Sequence, residues 1–218
     1  ITKIRAAKFC PVAFVGGSLS VATGASNTAL TSWRRLFMRY IHEQLEPVYH
    51  CKVGEIMAAI GAMKSAGSTF VLYRNAISKH PALVFVEFCI NDMQSPDKEL
   101  VQKGVEGIIR QFKTNRPYPD IVFLGAGLRP GTGNSPEGLC DHSIHREIAE
   151  YYDIPFLDIQ SYILKKLKER GQTWQAVDQS WDSVPGDRFH LNDYGQRLWF
   201  ECIKEWYEEQ IRLFDRIP

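Results

Sequence analysis

Five short apolar runs, each followed by a longer amphipathic stretch, constrain this chain more than any other feature of its sequence. They fall at 11–16 (PVAFVG), 48–55 (VYHCKVGE), 82–89 (ALVFVEFC), 120–125 (DIVFLG) and 154–159 (IPFLDI). Several are apolar on both faces, which suits strands covered on both sides by helices. Helices are expected at about 28–45, 67–79, 97–115, 138–152, 160–170 and 193–213. Ser95-Pro96-Asp97 reads as a capping segment before one of them, and Arg170-Gly171 as the stop of another. Leu198, Cys202, Ile203, Trp206 and Ile211 share one face of the last helix, so it should pack on the sheet. Strand and helix in alternation predict an α/β fold, a three-layer α/β/α sandwich around a central five-stranded parallel sheet. At 218 residues the chain reads as one domain over 1–218.

Such a sheet gathers reactive groups beyond the carboxyl ends of its strands, so a real site should draw residues from just after several of them. Gly16-Gly17-Ser18-Leu19-Ser20 follows the first run, where two glycines allow a sharp turn with little bulk around the next hydroxyl. Ser18 is a weak nucleophile until a base takes its proton, so a histidine must come from elsewhere. Taken alone, the same residues also describe a turn whose serine caps a helix. Asp187-Arg188-Phe189-His190, ahead of the last helix, supplies an imidazole with a carboxylate three residues away to hold its tautomer. A lone DxxH is also what a capping aspartate beside a surface histidine looks like. Cys89-Ile90-Asn91-Asp92 follows the third run, and the Asn91 amide is a candidate oxyanion donor. Ala58-Ala59-Ile60-Gly61-Ala62 follows the second, where a backbone N–H near Gly61 is a further candidate.

These four blocks, GGSLS at 16–20, AAIG at 58–61, VEFCIND at 86–92 and DRFHLNDYG at 187–195, resemble in order and separation those of the SGNH/GDSL hydrolase superfamily. The resemblance implies a flavodoxin-like fold. It implies catalytic roles for Ser18, Asp187 and His190, and an oxyanion hole from Ser18, Gly61 and Asn91. The second oxyanion donor stays open among Gly61, Ala62 and Gly67. Two positions depart from the usual pattern: Gly17 stands where aspartate is common, and Cys89 where glycine is usual. The implied activity is that of a serine esterase acting on O-acyl esters, with acetyl groups on a carbohydrate preferred. A short-chain carboxylesterase or a lysophospholipase/thioesterase uses the same set. A non-catalytic carbohydrate-binding module is the alternative of another class, and an acyltransferase is a further outcome of the same acyl-enzyme chemistry.

The remaining signals narrow the partners. Lys and Arg number 26 against 25 Asp and Glu, a net charge of +1, so no whole-molecule field favours nucleic acid. No apolar run reaches the roughly 18 residues of a membrane span. The partner expected is a small-molecule or carbohydrate ester, with self-association left open. Five scattered cysteines without CxxC spacing read mostly as free, buried thiols. Cys140, His142 and His145 fall short of a metal site for want of a fourth ligand, and the acyl-transfer chemistry needs neither metal nor organic cofactor. Gly125-Ala126-Gly127 starts a dinucleotide-like motif, but Pro130 replaces its last glycine. GGSLS also lacks the final glycine of a GxSxG elbow. Trp174 and Trp181, ahead of His190, are candidates for stacking on sugar faces or for loop packing. No signal-peptide pattern is visible from Ile1 onward, which leaves a cytoplasmic and a processed secreted form both open.

Overall fold

The computed structural model describes residues 9–179 and 187–214. Each expected strand is present: β1 (Phe9–Gly16), β2 (Lys52–Met57), β3 (Leu83–Glu87), β4 (Asp120–Gly125) and β5 (Phe156–Asp158). All pair in parallel in the order β2-β1-β3-β4-β5. The chain reverses its direction of progress between β1 and β3, which opens a crevice at their carboxyl ends, the usual seat of a ligand in open sheets.

The helices are α1 (Ser18–Val21), α2 (Trp33–Tyr49), α3 (Ser65–Ser68), α4 (Leu72–Asn75), α5 (Cys89–Asp92), α6 (Lys98–Thr114), α7 (Ser143–Tyr151), α8 (Ile159–Glu169) and α9 (Asp193–Phe214). Asp97 caps α6 by accepting from Leu100 N at 2.9 Å, as its place in Ser95-Pro96-Asp97 predicts. Gly171, at φ +63°, follows the end of α8. Alternation along the strands splits the core in two. Val12 and Phe14 of β1, Phe85 of β3 and Leu124 of β4 face Trp33 and Phe37 of α2, Ile163 of α8, and Trp199 and Ile203 of α9. Ala13 and Val15, Val84 and Val86, and Phe123 face Val105, Ile108 and Phe112 of α6. Trp33 and Trp199 stack at 5.3 Å, locking α2 to α9.

Three expectations are corrected. The second strand begins at Lys52, because α2 runs through Pro47 to Tyr49 and stops at His50, whose φ is +51°. Pro47 sits in the last turn of that helix, where its missing N–H removes one bond near an end that was about to close. The helix expected at 67–79 is three short pieces, α3, α4 and a 3₁₀ turn at Ile77–Lys79. The helix expected from 138 starts at Ser143, because Gly138 takes φ +70° and the Asp141 carboxylate accepts from Ser143 N at 2.9 Å.

Candidate active site

β1 ends at Gly16, whose register partner is Glu87 of β3, and Gly17 N donates to Glu87 O at 3.3 Å. The two strand ends are therefore pressed together where the chain turns into α1. A Cβ on Gly16 would run into Ser20 Oγ and lie 2.5 Å from Glu87 O, and one on Gly17 would overlap Asn91 Oδ1. The Glu87 backbone requires glycine at position 16, whereas at 17 the neighbour is the end of the Asn91 side chain.

Ser18 opens α1 and is half-buried, and no side chain caps that helix. Its hydroxyl lies instead 2.8 Å from His190 Nε2, across 172 residues of sequence. The other ring nitrogen, Nδ1, is 2.9 Å from Asp187 Oδ2. Asp187 Oδ1 accepts from His190 N at 3.2 Å and Phe189 N at 3.4 Å. One carboxylate oxygen thus shapes the turn while the other holds the ring. With Nδ1–H donating to the carboxylate, Nε2 is left as an acceptor facing the serine hydroxyl, a tautomer assigned from the bonding pattern. Phe189 packs edge-on against the imidazole at 4.8 Å. The relay is continuous from carboxylate to ring to hydroxyl, an arrangement able to take a proton from Ser18 as it attacks a carbonyl.

Asn91, on α5 just past β3, abuts Gly17 and stands beside this hydroxyl's turn. Its neighbour Asp92 is buried and holds two elements at once. Asp92 Oδ1 accepts from Ser65 N at 3.0 Å, and Oδ2 lies 3.0 Å from His145 Nε2 on α7. Gly61 occupies an exposed turn hung on the end of β1, since Ile60 N donates to Gly16 O at 3.0 Å and Met63 N to Ile60 O at 3.1 Å. Ala62 completes that turn at φ +60°, whereas Gly67 lies within α3 with Met63 Sδ against it.

Asp92, His145 and Glu87 take parts in the site that the sequence reading missed. Glu87 is wholly buried beneath the serine turn, and burial pushes its carboxyl up to about 8, with the Asp92 charge adding to the rise. Nearby N–H groups of Gly17 and Ile90 and the Ser20 hydroxyl pull the other way, outside full hydrogen-bond geometry. A single acid inside the apolar run LVFVEF was the available signal.

The weaker candidates are engaged elsewhere. His142 Nε2 is 2.8 Å from Ala126 O, and burial lowers this histidine's pKa. Among the described residues no three His, Cys, Asp or Glu side chains converge as a metal site would require. All five cysteines are free, four of them buried, and burial pushes Cys10 and Cys202 up to about 12. Trp174 is 4% exposed and its ring meets Gly127, so it packs the core and offers no face to a sugar. Trp181 lies outside the described residues. Among the described residues no helix is long and apolar enough to cross a membrane.

A parallel α/β/α sheet with a serine, histidine and aspartate in register at its switch point places the chain in a recognisable class, flavodoxin-like domains with a hydroxyl relay at the strand ends. More particularly, the sequence matches the GDSL-like Lipase/Acylhydrolase family over residues 14–198, and the chain belongs to that family. No curated protein matches it. Among solved structures, a two-domain esterase (CEX) active on acetylated mannans superposes with a TM-score of 0.75 at 20% identity, over 95% of this chain and 51% of that one. This chain thus spans about half the length of that protein. The acetylxylan esterase Axe2 from Geobacillus stearothermophilus matches at TM-score 0.63 and 17% identity, over 88% of this chain and 91% of its own. A lipase/acylhydrolase from Enterococcus faecalis matches at 0.66 and 14%, over 92% and 96%. At these identities the likeness is one of fold.

Proposed function

We propose that the chain is a serine esterase that removes short acyl groups, acetyl above all, from a carbohydrate. The observation that carries the reading is the relay itself, Ser18 Oγ to His190 Nε2 at 2.8 Å and His190 Nδ1 to Asp187 Oδ2 at 2.9 Å. Ser18 attacks the ester carbonyl carbon while its proton passes to His190, and Asp187 stabilises the imidazolium that forms. The carbonyl oxygen becomes an oxyanion held by the Asn91 amide and by backbone N–H groups of Ser18 and Gly61. His190 returns its proton to the departing alcohol, leaving an acyl-enzyme. Water, deprotonated by the same histidine, then releases the acid and regenerates Ser18. The acetyl-carbohydrate preference draws on the structural neighbours whose substrates are acetylated mannans and xylan.

The test has two arms. Ser18→Ala should lower ester hydrolysis by about 10³-fold or more with the circular dichroism spectrum unchanged. A fluorophosphonate should label Ser18 of the wild-type chain. Retained turnover in the alanine variant defeats the serine assignment, and a chain that neither labels nor turns over any ester is a binding module. A panel of acetylated sugars, aryl esters of rising chain length and acyl thioesters then sorts the substrate. Turnover of long-chain esters with acetylated sugars untouched would overturn the carbohydrate preference.

A further inference from the structure

Ser18 and His190 are separated by 172 residues, so their 2.8 Å approach depends on what fixes the 187–190 turn from outside. The loop that leaves β4 reaches that turn. Arg129 N donates to Arg188 O at 2.6 Å, and Arg129 Nη2 to Asp187 O at 3.5 Å. The same guanidinium donates through Nε to Asp178 Oδ2 at 2.9 Å. The Asp178 side chain is 1% exposed and that of Arg129 25%, so this pair is shielded from water.

Asp178 belongs to a short segment that pairs with the residues around the imidazole. It bridges Leu191 in antiparallel fashion, Gln179 N donates to His190 O at 3.1 Å, and Asn192 N donates to Val177 O at 2.9 Å. One guanidinium therefore links three stretches of chain: the loop after β4, the 177–179 segment, and the turn carrying Asp187 and His190. Its planar fork reaches a carboxylate and a carbonyl at once, a geometry that a lysine ammonium reproduces only in part.

We propose that Arg129 is a positioning residue, which through Asp178 and the Asp187 carbonyl holds the acid–base turn at hydrogen-bonding reach of Ser18. This rests on the serine-esterase reading. Arg129 touches neither the ring nor the serine hydroxyl in the contacts above, and its effect is exerted on distance. A misplacement of roughly 1 Å in such a relay costs on the order of 10²-fold in rate.

The experiment compares the wild-type chain with Arg129→Met, Arg129→Lys and Asp178→Asn. It measures kcat and KM for p-nitrophenyl acetate, the second-order rate of fluorophosphonate labelling, and thermal melting. Arg129→Met should keep KM within about two-fold while kcat and the labelling rate both fall about 10²-fold, with Arg129→Lys recovering part of the loss. Asp178→Asn should fall in the same direction. If Arg129→Met does not fold, Arg129→Lys and Asp178→Asn carry the test, and wild-type labelling rates in both overturn the proposal. A folded Arg129→Met with wild-type kcat and labelling overturns it too, as does a rise in KM alone, which would mark a substrate contact. A wild-type chain that does not label overturns instead the esterase reading on which the proposal rests.

Discussion

Asn91 is the residue whose contribution is most open to direct measurement. Its side-chain amide stands against Gly17, one residue before the Ser18 hydroxyl, and the proposed mechanism needs an oxyanion donor there. Asn91→Ala should lower kcat by about 10²- to 10³-fold with KM nearly unchanged, since an oxyanion forms only as the reaction proceeds. Steady-state kinetics on an aryl acetate checks this, and an unchanged kcat would remove Asn91 from the mechanism. Ser18, Asp187 and His190, which the structure brings together, were legible in the sequence, and Asn91 was legible as a candidate, because each sits in a compact block whose spacing encodes its turn. Asp92 stood in the same block without being singled out. Its role depends on Ser65 and His145, and His145 lies 53 residues away, where no local pattern reports it.

Helix α6 shows how an element far from the chemistry bears on it. Its Gly104 faces α3, and a Cβ there would lie 2.5 Å from Ala66 N and 2.6 Å from Ser65 Oγ. Gly104→Ala gains up to about 1 kcal/mol of helix propensity, but overpacking against backbone costs about 1–3 kcal/mol. The variant should therefore be less stable by on the order of 1 kcal/mol, read by urea unfolding. Activity should fall as well, because Ser65 N is the donor that holds Asp92 beside Asn91. Elements with strong periodicity, such as α6 and α9, were legible from their apolar faces. The 67–79 stretch was not, since Gly67 and the β-branched Thr69 and Val71 weaken a helix there and Phe70 is left 90% exposed. Packing on α6 decides its shape.

Across the whole molecule, Glu87 couples stability to pH. A carboxyl raised from 4.5 to about 8 stays protonated in the folded state where the unfolded chain has released its proton. The folded state then binds more protons between those values, so stability falls as pH rises through that window, by up to about 1.4 kcal/mol per pH unit. Glu87→Gln keeps the shape without the titration, and its unfolding free energy, compared with wild type from pH 4.5 to 8, should lack this decline. Parallel curves for the two proteins would refute it. The sequence by itself determined the alternation of strands and helices, the parallel α/β class and the side chains of the relay, because those depend on periodicity and turns within a few residues. The tertiary structure alone decided the strand order, the close approach of Glu87 O that demands glycine at 16, the burial of Glu87 and the Arg129–Asp178 pair. Each of these joins residues remote in the chain, and their energies exist only once the sheet has closed and water has been excluded between them.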